Sequence, residues 1–273
     1  MKTLIYVCPY AQFGNPGTMS GAELLADALR EMLDDNQDDD RPHRAQAYAG
    51  QITIRELPLE TSEDYANWRT KAREAARRAI DEGQFLIWLG GNHLSVLPLY
   101  EELAGKKDAT ILQLDAHLDL YHLRECKSEL SHGNFLRHLD PPPIIINVGH
   151  RDLFLPKEDV ECFYRTVFSA ADVTSDENEA LALIRKSISS AGKVFVDIDV
   201  DVLDPTFFPA VNDALPFGLN PQQLLKIVGA IGKNQLAGLA ISEFDPGRDL
   251  NDRSLSLLIW LVEYILLQRY ESP

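Results

Sequence analysis

Strand-length runs of apolar residues recur along the chain, and several are followed directly by acidic residues or histidine. The runs are TLIYVCP, QITIREL, FLIWLGG, TILQLDA, PIIINVG, CFYRTVF, VFVDIDVD and LAGLAIS. Runs that are apolar throughout are typical of strands buried on both faces of a parallel sheet. The pattern leaves an open three-layer α/β/α sheet and a closed eight-stranded barrel as alternatives, because both place their sites at the carboxyl ends of strands.

Helical patterns lie between several of these runs, as expected for an α/β fold. They are AELLADALREM after Gly21, DYANWRTKAREAARRAIDEG from Asp64, the stretch from Glu179 to Ser190, NPQQLLKIVGAIGKN, and SLSLLIWLVEYILLQRY. The chain has 273 residues, of which 45% are hydrophobic, so it can bury a large core. Since no linker composition interrupts it, we expect a single domain over residues 1–273.

The charge balance bears on partners and location. Lys and Arg total 26 against 42 Asp and Glu, a formal net charge of -16, which argues against nucleic-acid and anionic-membrane partners. The opening MKTLIYVCPY is too short for a secretory signal and no run reaches transmembrane length, so we expect a cytoplasmic protein. Cys8, Cys126 and Cys162 fit neither a disulfide framework nor a thiolate zinc site.

Acidic residues and histidines cluster where three of the runs end. They are His93 in GGNHLS, Asp115, His117 and Asp119 in DAHLDLY, and Asp197, Asp199 and Asp201 in DIDVDVLDP. Residues two apart in an extended segment share one face, so each acidic segment can direct its side chains toward one point. Buried carboxylates without partners cost several kcal/mol, and divalent cations would compensate them. The sequence therefore predicts a two-metal site at one edge of the sheet.

The type of ligand indicates the metal. Carboxylates and imidazoles without thiolate favour Mn2+ over structural zinc, with Ni2+, Co2+ and Fe2+ as alternatives. Two such ions about 3.5 Å apart can share a water, lower its pKa and direct the resulting hydroxide at an electrophilic carbon. Hydrolysis is the reaction class that this arrangement predicts.

Five motifs, GGNHLS, DAHLDLY, SHGNFL, DVDVLDP and SEFDP, resemble the ordered motifs of the arginase, agmatinase and formimidoylglutamase (ureohydrolase) family. They span Gly90 to Pro246, over half the chain. The resemblance implies an open α/β/α fold with a mostly parallel eight-stranded sheet, two Mn2+ ions, and cleavage of a guanidino or amidino C–N bond by a metal-bound hydroxide. It also implies a small guanidino or amidino substrate, release of urea or formamide, and a homo-oligomer, either trimer or hexamer.

The resemblance also assigns ligands to the two ions. One ion would be held by His93, Asp115, Asp119 and Asp199, and the other by His117, Asp115, Asp199 and Asp201. Asp115 and Asp199 would therefore bridge the two ions. Asp197 is left either as a residue that supports a ligand or as a further acid facing the metals.

Three residues acquire catalytic roles from the resemblance. His132 would shuttle protons near the leaving amine, a role suited to imidazole because its pKa lies near neutrality. Glu243 would pair with the planar guanidinium of the substrate, and Asp119 would accept a proton from the attacking water. The plainer interpretations are a turn-capping loop histidine for His132 and a structural salt bridge for Glu243.

The motifs also depart from the family. Asn92 stands where an aspartate is common, and Asp213 stands where a small hydroxyl residue would face the guanidinium. Four substrates stay open: an agmatine-like amine, an ω-guanidino acid, formimidoylglutamate, and arginine or a modified arginine. Asp213 favours an amine, whereas Arg124 or Lys127 could bind a carboxylate.

Two other classes of protein share parts of this pattern. Metal-dependent deacetylases have the same fold and a D-x-H element but use a single zinc ion, and they lack equivalents of His93 and of the Asp199–Asp201 pair. A noncatalytic metal-binding relative is the other alternative. The retention of His132 and Glu243 beside the ligands argues against it.

Overall fold

The eight apolar runs form eight strands in the computed structural model, which describes residues 2–38, 43–121 and 129–271. The strands are β1 (Thr3–Cys8), β2 (Ile52–Glu56), β3 (Phe85–Gly90), β4 (Ala109–Leu114), β5 (Ile145–His150), β6 (Tyr164–Ser169), β7 (Lys193–Asp199) and β8 (Leu236–Ser242). All eight predicted strands are therefore confirmed.

Eight α-helices and five short 3-10 helices complete the described part of the chain. The α-helices are α1 (Thr18–Asp38), α2 (Ser62–Asp81), α3 (Leu97–Ala104), α4 (Lys157–Phe163), α5 (Ala170–Ser175), α6 (Glu177–Ile188), α7 (Pro221–Gly229) and α8 (Arg253–Tyr270). The 3-10 helices are Arg44–Ala47, His93–Val96, Phe135–His138, Val200–Val202 and Pro246–Arg248. No helix among the residues described is both long and apolar enough to cross a membrane.

The strands form one sheet in the order β2-β1-β3-β8-β7-β4-β5-β6, and every neighbouring pair is parallel. β2 and β6 lie at opposite edges, so the sheet is open and the barrel alternative is wrong. The chain passes from β3 to β4 across the positions that β8 and β7 later fill. Such a crossing leaves a crevice at the carboxyl ends of the central strands, where open α/β sheets bind ligands.

Helices cover both faces of the sheet, which confirms the three-layer α/β/α fold. On one face, α1, α6, α7 and α8 pack against inward strand residues that include Ile5, Ile87 and Val196. On the other, α2 and α3 pack against residues of opposite parity, such as Tyr6 and Trp88. Each central strand is thus buried on both sides, which explains why its sequence is mostly apolar on both faces.

The run CFYRTVF is divided between two elements. Its first two residues belong to α4, so Cys162 is an exposed helical residue, and β6 begins only at Tyr164. Pro156 precedes α4, and Glu158 and Asp159 lie in its first turn, where acidic residues favour a helix. The apolar composition of the run therefore does not indicate that its first two residues end a helix.

Candidate metal centre and the cavity above it

Four neighbouring strands in the middle of the sheet carry the predicted site residues at their carboxyl ends. His93 follows β3, Glu243 directly follows β8, Asp199 ends β7, and Asp115 directly follows β4. These strands are adjacent in the order β3-β8-β7-β4. The topology therefore brings together segments that are up to 150 residues apart in the chain.

The first group of ligand atoms surrounds Nδ1 of His93. This nitrogen lies 2.7 Å from Oδ2 of Asp119, 3.2 Å from Oδ2 of Asp115 and 3.4 Å from Oδ2 of Asp199. All four side chains are buried. Nδ1 of His93 and Oδ2 of Asp115 and Asp119 have no hydrogen-bond partner despite their proximity. Buried donor atoms that converge without hydrogen bonding one another suit a shared cation.

The second group adjoins the first and shares Asp115 with it. Nδ1 of His117 lies 2.9 Å from Oδ2 of Asp201 and 3.8 Å from Oδ1 of Asp115. Ligand atoms of His93, Asp115 and Asp199 fall within 4.8 Å of one another, and so do those of Asp115, His117 and Asp201. Two cation positions with a common carboxylate are therefore available.

The electrostatics of these groups show how much negative charge is confined here. Burial and the charge of Asp119 raise the pKa of Asp115 to about 7. Burial and the charge of Asp201 likewise raise the pKa of Asp199. At His117, burial opposes protonation, but the charge of Asp201 outweighs it and raises the pKa to about 10. The cluster needs positive charge, from protons or from cations, and its oxygen and nitrogen donors fit hard divalent ions.

Asp197 contacts the opposite edge of the His93 ring. Its Oδ2 lies 2.9 Å from Nε2 of His93 and accepts a hydrogen bond of 2.6 Å from the hydroxyl of Tyr100. A proton on Nε2 satisfies this contact and leaves the lone pair of Nδ1 facing Asp115 and Asp119. Of the two interpretations of Asp197, the geometry matches support of a ligand residue.

A buried polar network beneath the DAHLDLY segment was missed by the sequence analysis. Gln113 and Asn147 pair in register on β4 and β5, and Nδ2 of Asn147 donates to Oε1 of Gln113 at 3.0 Å. Nδ2 of Asn147 also contacts the carbonyl of His117 at 3.3 Å, and the Tyr164 hydroxyl donates to the carbonyl of Leu118 at 2.8 Å. The available signal was one amide residue inside each of the apolar runs TILQL and IIINV.

A cavity of about 620 Å³ opens above the metal groups. Asp119, His132 and Glu243 all line it, so the three residues predicted as catalytic face the same space. Nδ1 of His132 lies 3.5 Å from Oε1 of Glu243. Burial opposes protonation of His132, but the hydrogen bond and charge of Glu243, together with the charges of Asp119 and Asp213, raise its pKa.

The cavity wall also includes Arg151, Asp152 and Asp213. The guanidinium of Arg151 donates to the carbonyls of Gly149, Asp201, Val202 and Leu215, which ties the ligand segment after β7 to the loop near Asp213.

Asn92, which stands where the family commonly has an aspartate, donates to the carbonyl of Gln12 at 3.1 Å. Arg124 and Lys127, the predicted carboxylate-binding residues, and Cys126 lie outside the described residues.

Comparisons with known proteins agree with this architecture. The model of the Arginase family matches residues 2–268. An agmatinase of Chromobacterium violaceum is 29% identical over 191 residues, covering 66% of this chain and 56% of the relative. An uncharacterized 32.2 kDa protein of Methanothermus fervidus is 27% identical over 188 residues, covering 66% and 62%. The alignments thus span less than two thirds of either relative.

Solved structures match over nearly the whole chain. The arginase of Bacillus subtilis superposes with a TM-score of 0.79 at 17% identity, covering 97% of this chain and 98% of that one. The agmatine ureohydrolase of Thermoplasma volcanium gives 0.78 at 19% identity, covering 98% and 89%. At these identities the likeness shows a common fold. Since the family model extends over residues 2–268, the chain belongs to the Arginase family.

Proposed function

We propose that this protein is a hydrolase that cleaves a guanidino or amidino carbon–nitrogen bond at a centre of two divalent metal ions, preferentially Mn2+. The observation that carries the proposal is the position of Asp115, whose two carboxylate oxygens face two adjacent groups of ligand atoms. A bridging carboxylate is what a two-ion centre requires. A site for a single ion would need only one of the two groups of ligand atoms.

The proposed ligands divide between the two ions. His93, Asp115, Asp119 and Asp199 would hold one ion, and His117, Asp115, Asp199 and Asp201 the other. When bound, the ions supply a nucleophilic hydroxide at neutral pH and stabilise negative charge in the transition state. The oxygen-rich ligand set favours Mn2+, with Ni2+, Co2+ and Fe2+ as alternatives.

Glu243 is proposed to bind the planar cationic end of the substrate. It is buried, lines the cavity and lies beside His132, so a guanidinium or amidinium paired with it would have its carbon close to the metal groups. Two carboxylate oxygens can accept parallel N–H bonds from such a group. This pairing would fix the orientation in which the carbon is attacked.

His132 and Asp119 are proposed to move the protons. Asp119 would accept a proton from the attacking water at Oδ1, because Oδ2 belongs to the first ligand group, 2.7 Å from Nδ1 of His93, and would hold the ion. His132 would donate a proton to the leaving nitrogen. The raised pKa of its imidazole favours the protonated form that this role requires.

The substrate is proposed to be an agmatine-like amine in preference to the acids. Asp213 adds a carboxylate to the cavity wall, which favours a wholly cationic substrate over one that carries an acid group. The agmatinase relatives are consistent with this choice. An ω-guanidino acid, formimidoylglutamate, and arginine or a modified arginine are the other substrates to be tested.

Two alternative functions make different predictions. A single-zinc, deacetylase-like amidohydrolase would bind one ion per chain, and a noncatalytic relative would bind ions without turnover. The shared position of Asp115 disfavours the first, and the joint presence of His132 and Glu243 on the cavity wall disfavours the second. Organisation as one domain over residues 1–273, a cytoplasmic location and a trimeric or hexameric homo-oligomer stay predictions.

The proposal is tested by a substrate screen on manganese-loaded protein. Urea release is measured with arginine, agmatine, guanidinobutyrate and guanidinopropionate, and formamide release with formimidoylglutamate. We expect turnover of one of these compounds, highest with agmatine, and none after Asp199→Ala. Asp81→Ala, which removes an exposed carboxylate at the end of α2 and outside the cavity lining, is the matched control and should keep full activity. Absence of turnover with every compound would contradict the proposed reaction.

A further inference from the structure

The turn between β1 and α1, residues 13–17, forms one wall of the cavity. Phe13 and Asn15 both line it. A Cβ atom added at Gly14 would lie 2.4 Å from Cδ2 of His132 and 2.9 Å from Nδ2 of Asn92, and one added at Gly17 would lie 2.7 Å from the carboxylate of Asp245. The glycines thus allow this turn to pack directly against the residues that follow β3 and β8.

Asn15 uses this position to contact Glu243. Its Nδ2 donates to Oε2 of Glu243 at 2.6 Å, and the backbone N–H of His93 donates to the other oxygen, Oε1, at 2.8 Å. Both oxygens of one buried carboxylate are therefore held by donors from two different segments. Asn15 itself is anchored, because its carbonyl accepts hydrogen bonds from the hydroxyl and the backbone N–H of Thr18 at the start of α1.

The backbone of Glu243 also indicates a constrained position. Its φ angle is +67°, in the left-handed region that a residue with a side chain seldom adopts. Such conformations persist where the surroundings fix them, and they occur most often at functional sites. The peptide bond there is secured by the Glu243 N–H, which donates to the carbonyl of Gly91 at 2.8 Å.

We infer that Asn15 is a positioning residue that sets the plane of the Glu243 carboxylate so that it can receive a planar amidinium group. The inference rests on the proposed function of Glu243. Each carboxylate oxygen offers two lone-pair directions, and the donors from Asn15 and His93 occupy one on each oxygen. Oε2 keeps one acceptor direction, and the second direction of Oε1 faces Nδ1 of His132 at 3.5 Å, a contact that an amidinium N–H would replace on forming two parallel bonds.

Without Asn15 the carboxylate would be held at one oxygen only. Rotation about the terminal bond of a glutamate side chain is broad, so the His93 contact alone defines its plane poorly. An amidinium would then meet a range of carboxylate orientations, and ordering them would weaken binding. The metal groups do not include Asn15, so metal content should not change.

The test compares Asn15→Leu, Asn15→Ala and the control Gln12→Ala in manganese-loaded protein. Leucine has a branched Cγ like asparagine but no donor, and Gln12 is an exposed residue immediately before the turn. The Kd of benzamidine, a planar amidinium probe, is measured by calorimetry, and KM and kcat are measured with the best compound of the screen. We expect both Asn15 variants to raise Kd and KM about tenfold, the effect of losing one hydrogen bond to a charged group, with a smaller change in kcat. Gln12→Ala should match the wild type.

The outcomes separate this inference from the proposed function. A wild-type Kd in Asn15→Leu, with weakening confined to Asn15→Ala, would indicate packing and overturn the inference, as would failure of the wild type to bind benzamidine. Binding of benzamidine without turnover of any compound would contradict the proposed reaction, while the Kd series would still decide the role of Asn15. A rise in Kd for both variants at unchanged metal content supports the inference.

Discussion

Asp197 and His93 form a buried pair in which Oδ2 of Asp197 lies 2.9 Å from Nε2 of His93. Both side chains are almost completely inaccessible. A proton on Nε2 suits this contact and leaves Nδ1 facing the ligand group, and the Tyr100 hydroxyl donates to the same carboxylate oxygen. The ligand face of His93 is therefore set by a residue on β7 that takes no place in either ligand group.

Replacing Asp197 should weaken metal binding. Asp197→Asn loses the charge that orients and polarises His93, and we expect Mn2+ affinity to fall by about 10- to 100-fold. Competition titration against a chelator measures this affinity. Tyr100→Phe removes only one restraint on Asp197 and should have a smaller effect. Equal affinity in Asp197→Asn and wild type would show that His93 needs no such support.

Substitutions of the two shared carboxylates and of His132 should differ in their effects on metal content and on turnover. Asp115→Ala and Asp199→Ala each remove a proposed bridge, so we expect loss of bound metal and of activity. His132→Ala should keep both ions and reduce kcat by about 10²- to 10⁴-fold, the range typical of a lost general acid or base. Elemental analysis and steady-state kinetics on the same samples check both statements. Full activity in either bridging variant would contradict the proposed centre.

Because the pKa of His132 is raised, the difference in free energy of unfolding between the wild type and a His132 variant should depend on pH. Because the pKa in the folded protein exceeds the unfolded value of about 6.5, protonated His132 stabilises the fold below that pH. This contribution is lost as pH rises through the folded-state pKa. The free energy of unfolding of metal-free wild type minus that of His132→Asn should thus be largest below about pH 6.5 and decline as pH rises through the folded-state pKa of His132.

Urea denaturation over a series of pH values measures that difference. Glu243→Gln supplies the control, because it removes the largest contribution that raises the His132 pKa and should shift the decline to lower pH. A difference that grows with pH would contradict the assigned contact between His132 and Glu243.

The network under the DAHLDLY segment should contribute to stability. Tyr164→Phe leaves the Leu118 carbonyl and Oε1 of Gln113 without the hydroxyl that lies 2.8 and 2.9 Å from them. We expect the free energy of unfolding to fall by about 1 kcal/mol or somewhat more, since the network is buried. Chemical denaturation measures the change, with Tyr264→Phe, at a partly exposed position on α8, as control. An unchanged free energy would mean that water or another donor replaces the hydroxyl.

The sequence predicted the strands well because each central strand is covered on both faces by helices and is therefore mostly apolar on both faces. It could not distinguish the open sheet from a barrel, because strand order depends on which pairs of distant segments meet. The boundary at Cys162 was also misplaced, since a short helix start depends on Pro156 and its acidic first turn more than on apolar content.

The candidate metal ligands could be predicted from the sequence because carboxylates and histidines that follow predicted strands are recognisable as ligands by residue type alone. The contacts of Asp197 with His93 and of Asn15 with Glu243 could not, because they join residues 104 and 228 positions apart. Asparagine in a glycine-containing turn is ordinary turn composition, so nothing in that segment indicates its partner. Such supporting contacts become visible only once the sheet order has brought the segments together.

The most direct test of the account is elemental analysis of manganese-reconstituted protein after removal of excess metal, combined with the hydrolysis screen on the same sample. We predict two Mn2+ ions per chain and release of urea or formamide from one guanidino or amidino compound. A single tightly bound zinc ion per chain, with no hydrolysis of any of these compounds, would contradict the two-metal centre and the reaction assigned to it.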